Sequence, residues 1–243
     1  MDFIKCNTQH FSYKILMDYW DKKLKNKFFS DPQNFLFGYG SLINDESRNS
    51  LTNDIHEPIP ARISKKFGYK RTWSYYSPTS YMTALGLEKA CESEATTING
   101  IIFPFDLNNL NNFNEREQDY DLVNIPNKFI QSMSWSNIPK NSKIWVYVQK
   151  KKDQKANIKF PICQSYIDVC LLGCLKYGKD YAAEFLATTS NWSKYWINDR
   201  LIPRRPWIHV PKHKEIDTLL EFNIFSKDFF KFRRLPETYL SDQ

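Results

Sequence analysis

The chain has 243 residues, of which 42% are apolar and 16% aromatic, and a formal charge of +7. These values suit one folded core, or one core with an appended piece, and exclude a disordered chain. The positive balance favours an anionic partner, yet 27 acidic residues among 34 basic ones dilute any single-sign field, so charge does not choose between nucleic acid and a small acidic metabolite.

Residues 1–34 read as an N-terminal helical extension. FSYKILMDYWDKKLKNKFF, residues 11–29, has apolar positions at helical spacing, and Asp31-Pro32 ends it. No basic region followed by an apolar run opens the chain, and no stretch approaches the ~20 apolar residues of a membrane span. A cytoplasmic protein without a membrane partner is therefore expected.

The chain is organised around Phe35-Leu36-Phe37-Gly38-Tyr39-Gly40-Ser41-Leu42. A short apolar run that breaks into Gly-aromatic-Gly-Ser and resumes as a polar, helix-compatible segment reads as a buried strand ending in a tight turn at a helix start. Gly38 and Gly40 are expected to adopt angles closed to other residues and to leave the main chain open to a ligand. Amides at such a junction suit a carboxylate, although an ordinary strand-turn-helix corner has the same pattern. A dinucleotide fingerprint would need glycine at 43, where Ile43 stands. A nucleophile elbow would need glycines two residues either side of Ser41, where Tyr39 and Ile43 stand, so Ser41 reads as a binding or capping residue.

Residues 54–60 are loop-like, punctuated by Pro58 and Pro60. Residues 61–76 read as extended strands around Gly68, residues 82–87 as another strand, and Asn99-Gly100 as a turn opening the strand Ile101–Phe105. Asp106 is a sensible N-cap for the next segment, in which Leu110, Phe113 and Glu117 fall at i, i+3 and i+7 on one helical stripe. A carboxylate on a core-facing stripe needs a raised pKa or a dedicated partner, and a raised pKa in a cleft is what a general base and acid requires. A solvated last turn, or a structural pair with an arginine, would account for the same pattern.

Strands follow at 122–125 and 143–148, with a polar loop at 132–142 between them and an exposed charged loop at 149–159 after them. Helices are expected at 164–177, 181–189, 214–221 and 225–232, with Gly178 a stop between the first two. The chain thus divides into a core, residues 35–150, and a helical C-terminal extension, residues 151–243. Cys163, Cys170 and Cys174 recur at helical spacing in an apolar segment and read as small buried hydrophobes. No CxxC pair occurs, and Pro211 between His209 and His213 disfavours a helical metal pair, so neither a metal nor a cofactor is expected. In residues 191–207 the tryptophans Trp192 and Trp196 suggest a packed helix face; with Arg200, Arg204, Arg205 and Trp207 the stretch could alternatively form a binding surface.

FGYGSLI (37–43) followed by NEREQDYDLV (114–123) resembles, in this order and spacing, the γ-glutamylcyclotransferase superfamily, over roughly residues 35–150. The resemblance implies an α+β fold, a small mixed β-barrel with flanking helices. It implies that Tyr39, Gly40, Ser41 and Leu42 form the loop holding the γ-glutamyl α-carboxylate and amine, that Glu117 is the catalytic glutamate, and that Tyr120 and Tyr147 line the substrate site. The expected reaction is intramolecular: the substrate's α-amine attacks its own γ-carbonyl, releasing 5-oxoproline, with no metal, cofactor or nucleophilic residue. The partner would be a small anionic γ-glutamyl compound such as glutathione rather than nucleic acid. The alternative is a catalytically silent module of the same fold that uses its basic, Trp/Arg-rich C-terminal region to bind nucleic acid or protein.

Overall fold

The computed structural model describes residues 34–50, 57–105, 120–134, 138, 141–150, 154–204 and 208–236. The expected N-terminal helix and the expected helix carrying Glu117 lie outside the described residues. In chain order the strands are β1 (Asn34–Gly38), β2 (Ile59–Ile63), β3 (Tyr69–Ser77), β4 (Met82–Lys89), β5 (Ile98–Pro104), β6 (Tyr120–Ile125), β7 (Ile130–Ser132), β8 (Lys143–Gln149), β9 (Ile162–Cys163), β10 (Thr189–Ser190) and β11 (Trp196–Ile197). The helices are α1 (Asp45–Asn49), α2 (Gln164–Leu175), α3 (Lys179–Ala187), α4 (His213–Phe222) and α5 (Lys227–Phe230).

Among the described residues the strands form two mixed sheets, ordered β6-β8-β1-β5-β2-β7 and β10-β3-β4-β9-β11. β1 is central in the first, parallel to β8 and antiparallel to β5. Its run Phe35-Leu36-Phe37 is continuous rather than alternating because both faces are covered, and all three side chains are buried. β4 is likewise buried from Met82 to Glu88. It meets β8 so closely that a Cβ on Gly86 would lie 1.7 Å from Gln149 Oε1.

Three expectations are corrected. Asn99-Gly100 is no turn, because β5 runs straight through it, paired with Ala61 and Arg62 of β2. Glycine is needed at 100 because a Cβ there would fall 2.4 Å from the Gly38 carbonyl oxygen. The stretch beyond 151 also contributes strands as well as helices: β9 runs parallel to β4, β10 to β3 and β11 to β9. Trp192 and Trp196 are buried, as expected, but not on a helix face: Trp192 follows β10 in irregular chain and Trp196 lies in β11; they pack against each other, and Trp192 against Trp73.

α2 is apolar on nearly every side and buried along almost its whole length. Cys163, Cys170 and Cys174 are fully buried, and burial pushes the Cys174 thiol well above its ordinary pKa. Gly178, at φ +108°, separates α2 from α3 as expected.

An ion-pair network ties the C-terminal elements to α2. Arg200 donates to both oxygens of Asp168 at 2.7 Å and to Asp217 at 2.8 and 2.9 Å, and Arg233 donates to Asp217 at 2.8 Å. Burial pulls the Asp217 carboxyl upward, but the hydrogen bonds from Arg200 and Arg233 outweigh it and hold the carboxyl below its ordinary value. A carboxyl depressed in the folded state stabilises above its unfolded pKa and loses that contribution as pH falls through the folded value. Thermal unfolding midpoints should therefore drop steeply below about pH 4. In Asp217→Asn that acid dependence should flatten, with a loss of about 1–3 kcal/mol at pH 7; identical pH profiles for the two proteins would remove Asp217 as the source.

Candidate functional site

The apolar run of β1 ends at Gly38, and the chain turns through Tyr39 and Gly40 into a 3-10 turn, Ser41–Ile43, and then α1. The Ile43 N–H donates to the Gly40 carbonyl at 3.0 Å and the Asn44 N–H to the Ser41 carbonyl at 3.1 Å. Asn44 caps α1, its Oδ1 accepting from the Ser47 N–H at 3.0 Å. The amides of Gly40 and Leu42 precede this ladder and take no partner among the described residues. Tyr39 and Ser41 are buried, while Leu42 is half-buried.

Neither glycine of this turn has positive φ, and each has close neighbours. Positive φ among the glycines occurs at Gly68 and Gly178, not at Gly38 or Gly40. A Cβ on Gly38 would meet the Leu42 Cβ at 2.8 Å, and one on Gly40 the Tyr166 hydroxyl at 3.0 Å.

Strand register brings the tyrosines Tyr39, Tyr120 and Tyr147 to this corner. β1 and β8 run parallel with Leu36 opposite Trp145, so at the same offset Gly38 falls beside Tyr147. The Tyr39 hydroxyl donates to the Tyr147 carbonyl at 3.0 Å. β6 is antiparallel to β8 with Leu122 opposite Tyr147, which sets Tyr120 one diagonal step away on the same face. The Tyr120 and Tyr147 rings meet edge-on with centroids 6.3 Å apart, and the Tyr120 hydroxyl donates to the Leu85 carbonyl of β4 at 3.3 Å. Tyr147 is buried and Tyr120 part-exposed. Glu117, three residues ahead of Tyr120 in sequence, lies outside the described residues.

Two features escaped the sequence reading. Two residues beyond Tyr147, the Gln149 side chain accepts from the Ser74 hydroxyl at 2.9 Å and donates to the buried Glu88 carboxylate at 2.8 Å, linking the sheets behind the tyrosines. Directly beneath the turn, the wholly buried Arg71 donates to the Tyr39 carbonyl at 3.2 Å. The signal for Arg71 was there in Tyr69-Lys70-Arg71-Thr72-Trp73: strand alternation sets Arg71 on the face of Trp73. At the C-terminal end of the chain, Arg200 is neutralised by Asp168 and Asp217, and Arg204 donates to the Ser80 and Tyr81 carbonyls.

No protein-family model matches the chain, and no curated protein matches it in sequence. Among solved structures, an uncharacterized protein from Homo sapiens superposes with a TM-score of 0.50 at 14% identity, over 67% of this chain and 92% of its own. With that protein the chain shares its mixed α+β fold. A structure described as a γ-glutamyl cyclotransferase is similar at a TM-score of 0.48 and 15% identity, over 63% of this chain and 86% of its own. One from yeast, described as specific to glutathione, is similar at 0.34 and 13%, over 64% and 86%. At such identities a likeness speaks for the fold alone. The Gly40 and Leu42 amides of the turn are groups of the kind that orient a carboxylate or a carbonyl. No helix among the described residues is long and apolar enough to cross a membrane.

Proposed function

We propose that this protein is a γ-glutamylcyclotransferase that converts a small anionic γ-glutamyl compound, such as glutathione or a γ-glutamyl amino acid or amine, to 5-oxoproline and a free amine. The observation carrying this reading is that the Tyr39-Gly40-Ser41-Leu42 turn leaves the central strand of a mixed sheet beside Tyr147 and Tyr120. In the proposed reaction the turn amides hold the substrate's α-carboxylate, folding the glutamyl chain so that its α-amine meets the γ-carbonyl carbon. Glu117 accepts a proton from the α-ammonium. The new C–N bond forms as the old one breaks, and Glu117 returns the proton to the departing nitrogen. The ring closes on the substrate's own amine, so no enzyme nucleophile, metal or cofactor enters.

Against the alternative of a silent binding module, the two tryptophans Trp192 and Trp196 are buried and Arg200 is spent on Asp168 and Asp217. The purified protein, incubated with a panel of γ-glutamyl amino acids, γ-glutamylamines and glutathione, should release 5-oxoproline detectable by mass spectrometry from at least one of them. Absence of product across the panel would overturn the proposal.

A further inference from the structure

Arg71 is an unusual buried cation. It is fully inaccessible, and among the described residues none of its acceptors is a carboxylate. Nε donates to Thr189 Oγ1 at 2.8 Å. Nη1 donates to the carbonyls of Asn99 at 2.8 Å and Tyr39 at 3.2 Å. Nη2 donates to Asn99 Oδ1 at 2.9 Å, the Phe185 carbonyl at 2.9 Å and Thr188 Oγ1 at 2.7 Å. The guanidinium carbon also sits 3.9 Å from the centroid of the Phe185 ring. Glu184, on the same helix as Phe185, is held by Arg62 through two contacts of 2.6 Å. Burial lowers the Arg71 pKa to about 10, so it stays charged at neutral pH.

We propose that Arg71 is a positioning residue of the turn: it holds the Tyr39 carbonyl inward, so fixing the Gly40–Leu42 amides, and lends a positive charge that no hydrogen-bonded carboxylate neutralises to the capture of an anionic substrate. The identity of that substrate rests on the cyclotransferase reading. A buried charge is costly to keep, and apolar packing would stabilise the same junction at lower cost. Neutral acceptors satisfy every direction of its fork without cancelling its charge, and in a low-dielectric interior that charge reaches further than a surface lysine's would. Its hydrogen bond to the turn goes to the peptide carbonyl immediately before Gly40, the residue that opens the amide-lined segment. The two ends of the fork therefore couple β5 and α3 to the backbone geometry of the corner.

Two kinds of variant test this. Arg71→Lys keeps the charge but loses the fork. It should keep its circular dichroism spectrum, exchange the amides of residues 38–43 at least roughly tenfold faster, and raise KM for glutathione more than it lowers kcat. Thr188→Asp places a carboxylate against Nη2 at a half-exposed position without substituting Arg71, and Thr188→Asn is its neutral match in shape. The aspartate should raise KM roughly fivefold over the asparagine with kcat nearly equal, and it should quicken exchange at 38–43. Equal KM and equal exchange for the two Thr188 variants would overturn the proposal, as would Arg71→Lys with unaltered exchange at the turn. If the wild type turns over no γ-glutamyl compound, the cyclotransferase reading fails, while exchange at 38–43 still judges Arg71. If Arg71→Lys does not fold, the Thr188 pair decides.

Discussion

Glu117→Gln should leave a folded protein that binds 5-oxoproline normally and has lost roughly 10²–10⁴-fold in kcat, the range expected when a positioned acid–base group is removed. Glutamine keeps the size and hydrogen-bonding shape of glutamate but cannot exchange a proton near neutral pH. In the proposed reaction one carboxylate serves twice, first on the α-ammonium and then on the leaving nitrogen, so its loss cannot be covered by the turn. KM should change little, because the turn amides rather than Glu117 are assigned the substrate carboxylate. Near-normal release of 5-oxoproline by this variant would take Glu117 out of the mechanism. Tight binding with no turnover in the wild type as well would favour a silent module.

The second large effect is expected far along the chain from the turn. Gly173→Ala would ordinarily strengthen a helix by about 1 kcal/mol. In α2 it should instead destabilise the protein by about 1–3 kcal/mol, as overpacking does. The added Cβ would lie 2.5 Å from the Asn44 nitrogen, 2.6 Å from the Ile43 carbonyl carbon and 2.9 Å from the Asn44 Cα. All three are backbone atoms, so no side chain can rotate away. Either α2 retreats or the 3-10 turn shifts, and a shift of about 1 Å in a substrate-positioning segment can cost on the order of 10²-fold in rate. Urea unfolding of wild type and variant, beside kcat/KM for glutathione, tests both parts. An alanine variant as stable and as active as the wild type would show that this close approach is not required.

The two predictions rest on different kinds of legibility. The turn could be read directly, because an apolar run followed by Gly-Tyr-Gly-Ser-Leu and a polar, capped segment states its own local structure, and Asn44 caps α1 where that reading expects a helix to begin. The general order of strands and helices was legible for the same reason, as was the burial of Cys163, Cys170 and Cys174. Asn99-Gly100 misled because its turn propensity is outweighed by the pairing of β5 with β1 and β2 on either side. The short strands β9 to β11 carry almost no signal of their own. Two residues cannot announce a strand; they become one by hydrogen-bonding to β3, β4 and each other.

Local composition and spacing therefore settled the Tyr39–Leu42 corner, the main strands and the apolar character of α2, since each depends on backbone preference and side-chain periodicity within a few residues. The register that gathers Tyr39, Tyr120 and Tyr147, and the placing of Arg71 beneath Tyr39, were decided in three dimensions. Arg71 meets Thr188 across a separation of 117 residues, and Tyr39 meets Tyr147 across 108. Those contacts draw their energy from segments that neither stretch encodes, so only the assembled sheets and helices could determine them.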